Sequence, residues 1–397
     1  MTEHLKRRIG PGLLTAYGVG VMVGAGIYVL TGAAAGAAGI WAPVAFLLAG
    51  LVAVPTALAF SELSARVPEA AGESSYVEVG LNLHWLAVLV GAINIIAGTV
   101  AAAAVLRGGV GYLISFVDIP FVWAVVGIGG ALTLIAIAGV LESLAFAAVL
   151  TVIEVIGLML VIWAGFSADP VADWSLPLPP VEWAGVAGAT VFAFFAFIGF
   201  NDMVNMAEET RAPSRNMPIA ILGALAVTGL LYALVSLAAV RAVPRELLAT
   251  SERPLALVWE AGSHTSAVFL SAIAVAAALN GVLAQIVMAA RVLYGLGKRS
   301  PALLAFRRTS KRFGTPTLGT IAVAVAVVAS ALMLPVATLA ELTTQALLIV
   351  FAIVNVALIG LKRKQPKSPF DVPDFVPWLG VLACIATFAA SLAGVFG

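Results

Sequence analysis

Gly18-Val-Gly-Val-Met-Val-Gly24-Ala25-Gly26-Ile27-Tyr28 lies in the middle of the first long apolar stretch of the chain. A glycine costs about 1 kcal/mol against alanine in a helix interior. A Gly-Ala-Gly step near the depth of a bilayer midplane therefore predicts an interrupted helix. Such interruptions are tolerated only where the freed backbone lines a cavity or meets a ligand. A second candidate, Phe195-Ala-Phe-Ile-Gly199-Phe-Asn201-Asp202, comes about half a chain later. Two interruptions in corresponding positions of two halves point to a substrate site of the kind transporters build.

Composition sets the class around these two segments. Of 397 residues, 62% are hydrophobic and 10% charged, against about 45–50% and 25% in soluble domains. Mean hydropathy is +1.09. Apolar runs of about 20 residues recur along the whole chain, which predicts an all-α polytopic membrane protein in contact with lipid throughout. The net charge of +1 gives no global field that would favour nucleic acid. Cys384 is the single cysteine, which excludes an intrachain disulfide and a cysteine metal cluster. The stretch behind Lys6-Arg7-Arg8 is too long for a secretory signal and lacks a clear cleavage site, so it reads as an uncleaved first span.

Eleven spans are expected, at about 12–35, 40–63, 84–106, 121–140, 144–166, 183–206, 217–240, 264–290, 316–335, 337–360 and 376–396. With the N-terminus inside, Lys6, Arg7, Arg8, Arg66, Arg211, Arg215, the seven Lys and Arg from Arg291 to Arg312, and Lys362, Arg363, Lys364 and Lys367 all fall on the inner side. Only Arg107, Arg241, Arg245 and Arg253 fall outside. This bias predicts a cytoplasmic N-terminus in a multi-pass protein of the cell membrane. Spans one to five and six to ten make two halves of similar length. An odd number of spans per half forces opposite orientations, the arithmetic of a 5+5 inverted repeat. The expected units are 1–166 (helices 1–5), 183–361 (helices 6–10) and a peripheral eleventh helix at 376–397.

The first interruption, over Val23, Gly24, Ala25, Gly26 and Ile27, leaves backbone N–H groups at the start of an outer half-helix. These suit a carboxylate. Carbonyls ending the inner half-helix suit an ammonium or another cation. The bland alternative is that the glycines only permit close helix packing. In the second interruption, Phe195, Phe197 and Ile198 precede Gly199. Aromatics there could close over a substrate, although phenylalanines on lipid-facing helices are ordinary. Asn201 and Asp202 follow, and a carboxylate so deep in a span is a functional group by default or a structural partner of the broken backbone. Gly98 and Ala102 are expected around the same pocket.

Glu154 stands almost at the centre of the fifth span with Thr151 as its one polar neighbour there. A mid-helix acid is costly to ionise, which makes it a natural proton carrier. Its structural alternatives are a neutral acid bonded to a backbone carbonyl, or a partner of Arg107 or another buried base. In the eighth span Asn280 and Gln285 read as interhelical hydrogen-bonding groups. Ala274-Val-Ala-Ala-Ala278 has no neighbouring Ser/Thr pair, which argues against a hydroxyl-built sodium site. His4, His84 and His264 fall near membrane surfaces or loops. No metal or cofactor is called for. There is no H-E-x-x-H pair, no P-loop and no G-x-S-x-G elbow, so no enzyme is read here.

Gly18-x-Gly20-x-x-x-Gly24-Ala-Gly26-Ile-Tyr28 resembles the first-helix motif of the amino acid–polyamine–organocation permeases. Phe194-Phe-Ala-Phe-Ile-Gly-Phe200 with Ala207-Glu-Glu-Thr-Arg211-Ala-Pro-Ser-Arg215-Asn-Met-Pro218 is similar to that family's sixth helix and following loop. Ser61-Glu-Leu-Ser-Ala-Arg-Val-Pro68-Glu-Ala-Ala-Gly72, Ala289-Ala-Arg-Val-Leu-Tyr294 and Gly314-Thr-Pro316 resemble its loops after helices two and eight. The likeness runs from about residue 10 to 375. It implies the leucine-transporter-type fold with alternating access. It also implies a substrate carboxylate on the N–H groups around Val23 to Ile27, an amine on carbonyls of about Phe195 to Gly199, and Phe195 as an outer gate. The chain departs from the pattern in three places. Members commonly have twelve spans against the eleven read here. Many have an acid where Asn201 stands, with Asp202 one place later. Proton-coupled members carry a lysine where counting from Glu142-Ser143 reaches Glu154.

The expected function is secondary active transport of amino acids or related amines, with substrate at the two interruptions and a proton loaded on Glu154. The swap of lysine for Glu154, together with Asp202, keeps a polyamine or organic cation substrate open. An uncoupled exchanger or uniporter differs only in its response to a proton gradient. A membrane amino-acid sensor is the reading from another class, and it would need a signalling domain that the sequence does not display.

Overall fold

The structure, a computed structural model, describes residues 9–67, 72–139, 144–174, 177–299, 301–310 and 312–396. Lys6 to Arg8, residues 68–71 of the loop motif, Glu142-Ser143 and Lys311 lie outside them. The regular secondary structure of the described residues is helical, with a single isolated bridge between Ile9 and Thr210.

The first expected span is two helices, α1 (Pro11–Val23) and α2 (Ala25–Ala38), followed by α3 (Ala42–Arg66). The short α4 (Gly72–Leu81) leads to α5 (His84–Ile114), α6 (Phe121–Ala138) and α7 (Leu144–Ser167). The second half begins with α8 (Trp183–Phe197) and 3-10 turns over Asp202–Glu209, then α9 (Pro213–Ala242). Two outer helices, α10 (Arg245–Thr250) and α11 (Pro254–Ser263), precede α12 (Val268–Arg299). Next come 3-10 turns over Pro301–Arg307, α13 (Thr317–Met333), α14 (Val336–Lys364) and α15 (Phe375–Phe396).

Among the described residues, nine helical runs are long and apolar enough to cross a membrane, Gly26–Arg66 counting as one run. Pro11–Val23 and Thr317–Met333 are shorter apolar helices. The chain is therefore an all-α, multi-pass membrane protein. The eighth span differs from the reading of the sequence at both ends. The eighth span was expected to begin at His264, but that residue takes a left-handed conformation (φ 54°) and ends α11, so α12 starts at Val268. At its other end α12 runs on to Arg299, past the apolar stretch that set the expected limit. Helix geometry does not stop where apolarity stops, so cations extend the helix beyond the lipid core.

Side chains are packed in two apolar clusters. The larger joins α1, α2, α3, α8, α9 and α14 around Phe46, Phe60, Phe194 and Phe351. The smaller joins α5, α6, α12 and α13, and it takes in Leu30 of α2 and Phe195 of α8. The two interrupted helices thus lie at the seam between the clusters.

One end of the bundle is tied by a buried ionic knot. Glu62 in the last turn of α3 accepts from Arg66 and from the Val372 N–H (2.9 Å), with Lys362 of α14 at 3.4 Å. Arg66 also donates to the Gln365 carbonyl at 2.5 Å, and Lys362 bonds Asp371 at 2.6 Å. The side chains of Glu62 and Arg66 are 0% and 2% exposed. The hydrogen bond from Lys362 holds the exposed Asp371 carboxyl below its usual range. That contribution is complete above the ordinary carboxylate range and is lost as pH falls through the lower folded-state value. Glu62→Ala would remove the buried counter-charge of Arg66 and Lys362 and leave them only the more exposed Asp371 and Asp374. Loss of one buried partner costs about 3–5 kcal/mol, and thermal unfolding of the purified variant should show a large fall in melting temperature. An unchanged transition would remove the knot from the account of stability.

Candidate functional site

The site is built from backbone first. In the first interruption only Gly24 leaves helical dihedrals (φ −28°, ψ −173°). The break is narrower than Gly24–Gly26, because Ala25 and Gly26 already open α2. Val23 and Ile27 are fully buried on either side of it. In the second interruption α8 stops at Phe197, Ile198 turns extended (ψ 133°), and Gly199 takes φ 130°, a conformation that L side chains rarely adopt. The Gly199 N–H donates to Asn201 Oδ1 at 3.2 Å, which replaces the lost helical bond.

The two interruptions touch. A Cβ on Gly199 would lie 2.8 Å from Val21 Cγ1 and 3.3 Å from the Met22 nitrogen. A Cβ on Gly26 would lie 3.3 Å from Ala196 Cα and 3.6 Å from the Phe195 ring. Across this contact stands Tyr232 of α9, fully buried between the rings of Phe197 (5.2 Å) and Phe46 (5.9 Å). Its hydroxyl faces the Met22 carbonyl at 2.6 Å and the Ala196 carbonyl at 2.9 Å. One O–H is therefore shared between the carbonyl ends of both broken helices.

The expected side chains divide by face. Phe195 packs with Ala102 and Leu30 in the smaller cluster, beside Gly26. Phe197, two residues on, turns the other way and meets Tyr232, Gly50 and Gly229. A spacing of two on a helix puts the side chains on roughly opposite faces. Gly98 of α5 leaves room for Gln285, whose Oε1 would lie 3.0 Å from a Cβ there. Gln285 in turn donates to Asp202 Oδ2 at 3.4 Å, an interhelical bond from α12. Asn201 Nδ2 contacts both Asp202 (3.2 Å) and Glu73 of α4 (3.0 Å), and Asn94 also bonds Glu73. Burial pushes the Glu73 carboxyl above its usual range, against the pull of these two amides. Asp202 and Glu73 thus share an amide-lined pocket on the N-terminal side of the breaks, near Tyr17 of α1.

Glu154 lies beside the first break. Gly20 of α1 packs on Thr151, and Tyr28 of α2 donates to the Glu154 carbonyl at 3.2 Å. Gly20 and Tyr28 straddle Gly24, and Thr151 and Glu154 are one helical turn apart, so α7 spans the break. Glu154 is 4% exposed. Arg107, the base considered for it, instead donates to the Ala331 carbonyl (2.7 Å) and lies 4.7 Å over the Phe121 ring. Tyr112 extends the frame, donating to the Tyr28 carbonyl at 2.7 Å and accepting from the Leu255 N–H at 3.3 Å.

Both ends of the site are covered. On one side Arg245 bonds the Gly36 carbonyl (2.6 Å), and Gly32 and Gly36 bring α2 against Leu248 and Ala249 of α10. On the other, Ile9 donates to the Glu209 carbonyl (3.1 Å) and accepts from the Arg211 N–H (2.9 Å). Reasoning from sequence missed Glu73, Tyr232 and α10. Glu73 directly follows the Gly72 that ends the quoted loop motif, and Tyr232 is a hydroxyl in an apolar span, with Thr228 and Ser236 one turn away on either side. Either could have been marked as a buried polar group in need of a partner.

Comparison with known proteins follows the same lines. The amino acid permease family profile matches residues 13–396. The chain is 28% identical to the branched-chain amino acid permease BcaP of Bacillus subtilis, over 96% of this chain and 88% of that one. It is 29% identical to the methylthioribose transporter of Bacillus subtilis, over 99% of this chain and 90% of the relative. It is 31% identical to the chloroplastic cationic amino acid transporter 9 of Arabidopsis thaliana, over 75% of this chain and a smaller 56% of that longer relative.

Tyr232→Phe keeps the ring packing and removes the shared hydroxyl. Leaving buried carbonyls unsatisfied costs about 1–3 kcal/mol, so the melting temperature should fall while the protein still folds. Substrate uptake in reconstituted vesicles should fall with it, because the breaks lose their common tether. Uptake and melting both equal to wild type would show that the tether is dispensable.

Proposed function

The chain belongs to the amino acid permease family, and on that premise we propose that it is a secondary active transporter working by alternating access. Its substrate sits where the two broken helices meet. The observation that carries this reading is the contact of the breaks themselves, Gly26 on Phe195 and Ala196, and Gly199 on Val21 and Met22. The N–H groups of Ala25, Gly26 and Ile27 open α2 and receive a carboxylate, favoured there by the helix dipole. Carbonyls from Phe195 to Gly199 receive the amine, and Phe195 closes the pocket over Gly98 and Ala102. Asn201 and Asp202 hold the inner floor. Members of this family move substrates rather than convert them, so no catalytic step is involved.

The inverted repeat is supported by which helices touch. Each of α1–α2, α3, α5 and α6 packs on its counterpart in the second half: α8, α9, α12 and α13. The cross-pairs also occur in both senses: α1 with α9 and α3 with α8, and α5 with α14 and α12 with α7. Exchanging the halves maps this set of contacts onto itself, as a pseudo-two-fold axis in the membrane plane requires. We place the cation-rich loops, and with them the N-terminus, on the cytoplasmic side of the cell membrane.

Glu154 couples the cycle to protons in this reading. It lies beside the break that must open, on a helix that touches both half-helices through Gly20 and Tyr28. Loading or losing a proton there changes the electrostatic cost of moving α1 against α7. A second reading, an amine lacking a carboxylate, draws support from the Glu73–Asn201–Asp202 cluster, where the carboxylates are hydrogen-bonded by the amides of Asn201 and Gln285.

Thermal stabilisation of purified protein against amino acids, polyamines and other amines tests the site, since a ligand of the folded state raises the melting point by mass action. Stabilisation by zwitterionic amino acids is the expected result. Stabilisation only by amines without a carboxylate would replace the first reading by the second. Glu154→Gln should abolish uptake driven by a pH gradient while ligand stabilisation persists. Uptake by the variant that still follows the gradient would exclude Glu154 as the coupling group.

A further inference from the structure

An open cavity stands apart from the broken helices. It lies between the 3-10 turns Pro301–Arg307 and the start of α13, with a volume of about 700 Å³ and an open mouth. Arg307, Arg308, Thr309 and Ser310 line it together with the apolar Leu304, Leu318 and Ile321. We propose that this cavity binds the anionic headgroup of a membrane phospholipid, with Arg307 and Arg308 on the phosphate and the acyl chains lying along α13.

Charge argues for an anion supplied from outside the chain. No Asp or Glu occurs between Glu260 and Glu341, while seven Lys and Arg occur from Arg291 to Arg312. Whole-chain net charge is only +1, so this is a local concentration. None of the residues lining the cavity carries a carboxylate. The contrast with Arg66 and Lys362, whose cations are met by Glu62 and Asp371, is clear. Both arginines are exposed beside the cavity.

The wall is built rather than frayed. Ser310 Oγ accepts from the Arg312 N–H (3.2 Å) and the Phe313 N–H (3.4 Å), and the Ser310 N–H bonds the Thr315 carbonyl (2.8 Å). Thr315 Oγ1 then anchors this turn to the Ile137 carbonyl of α6 at 2.7 Å. Exposed apolar surface beside the cations argues for a lipid rather than a soluble anion. Leu318 and Ile321 are 49% and 43% exposed on an apolar helix of the bundle, directly beside the basic wall. Cations lining the cavity beside exposed apolar side chains suit a headgroup and its acyl chains in one leaflet.

The test uses the purified full chain in detergent, titrated with short-chain phosphatidylglycerol and read by native mass spectrometry and thermal shift. The Arg307→Ala, Arg308→Ala pair should bind roughly 30-fold more weakly, from about 1 kcal/mol per cation near an anionic surface. The Arg307→Lys, Arg308→Lys pair should retain most of the binding. Arg363→Ala with Lys367→Ala removes two exposed cations from the other cation-rich loop and should bind as wild type. If the alanine pair does not fold, Arg307→Gln with Arg308→Gln carries the same comparison. Equal weakening by the Arg363 and Lys367 pair would overturn the site in favour of diffuse attraction. Equal binding of phosphatidylcholine would remove the charge selectivity. Saturation by glycerol phosphate as tightly as by the lipid would make it a site for soluble phosphate esters and overturn the lipid assignment.

Discussion

A single hydroxyl group holds the centre of this protein together. Breaking a helix within a bilayer exposes carbonyls that have no water to meet them. Here the ends of two broken helices expose Met22 and Ala196, and Tyr232 of a third helix serves both. Its position is set by apolar packing, with Phe46 on one side and Phe197 on the other. Aromatic packing in the larger cluster is thus what permits an interrupted backbone at the seam. The same solution recurs on the other side of the first break, where the hydroxyls of Tyr28 and Tyr112 also end on backbone carbonyls.

Small residues do the complementary work. Gly20 lets Thr151 against α1, Gly157 leaves space for the Tyr28 hydroxyl, and Gly32 and Gly36 seat the outer helix α10. Helices in lipid gain little from hydrophobic association and depend on such close approach. The consequence for function is positional. Glu154 stands beside Gly24 because Gly20 and Gly157 allow α7 to cross the break at contact distance.

The charged groups fall into three environments with three physical outcomes. Glu62, Arg66 and Lys362 neutralise one another in a buried knot that fastens the α14–α15 connection to α3. Glu73 and Asp202 are buried among amides, which satisfy hydrogen bonds without cancelling charge. Arg307 and Arg308 line an open cavity beside the exposed Leu318 and Ile321. Net charge and composition hide these differences, because all three environments draw on the same residue types.

Much of the architecture was legible in the chain. Apolar runs of span length determine the class, since only helices satisfy their own backbone in lipid. The Gly-Ala-Gly step and the Ile-Gly-Phe step locate both interruptions, since glycine is costly in a helix and is the residue freest at φ 130°. The sequence also marks Glu154 and Asp202, because an acid at mid-span has few structural excuses. Tertiary structure alone decided the rest. That Phe195 meets Gly26 while Phe197 meets Tyr232 depends on which neighbours each face of α8 finds. That Gln285 and Glu73 join Asp202 depends on contacts between residues 83 and 129 positions apart. Local pattern carries no information about such pairs, because they are fixed by how helices pack and not by what each helix is.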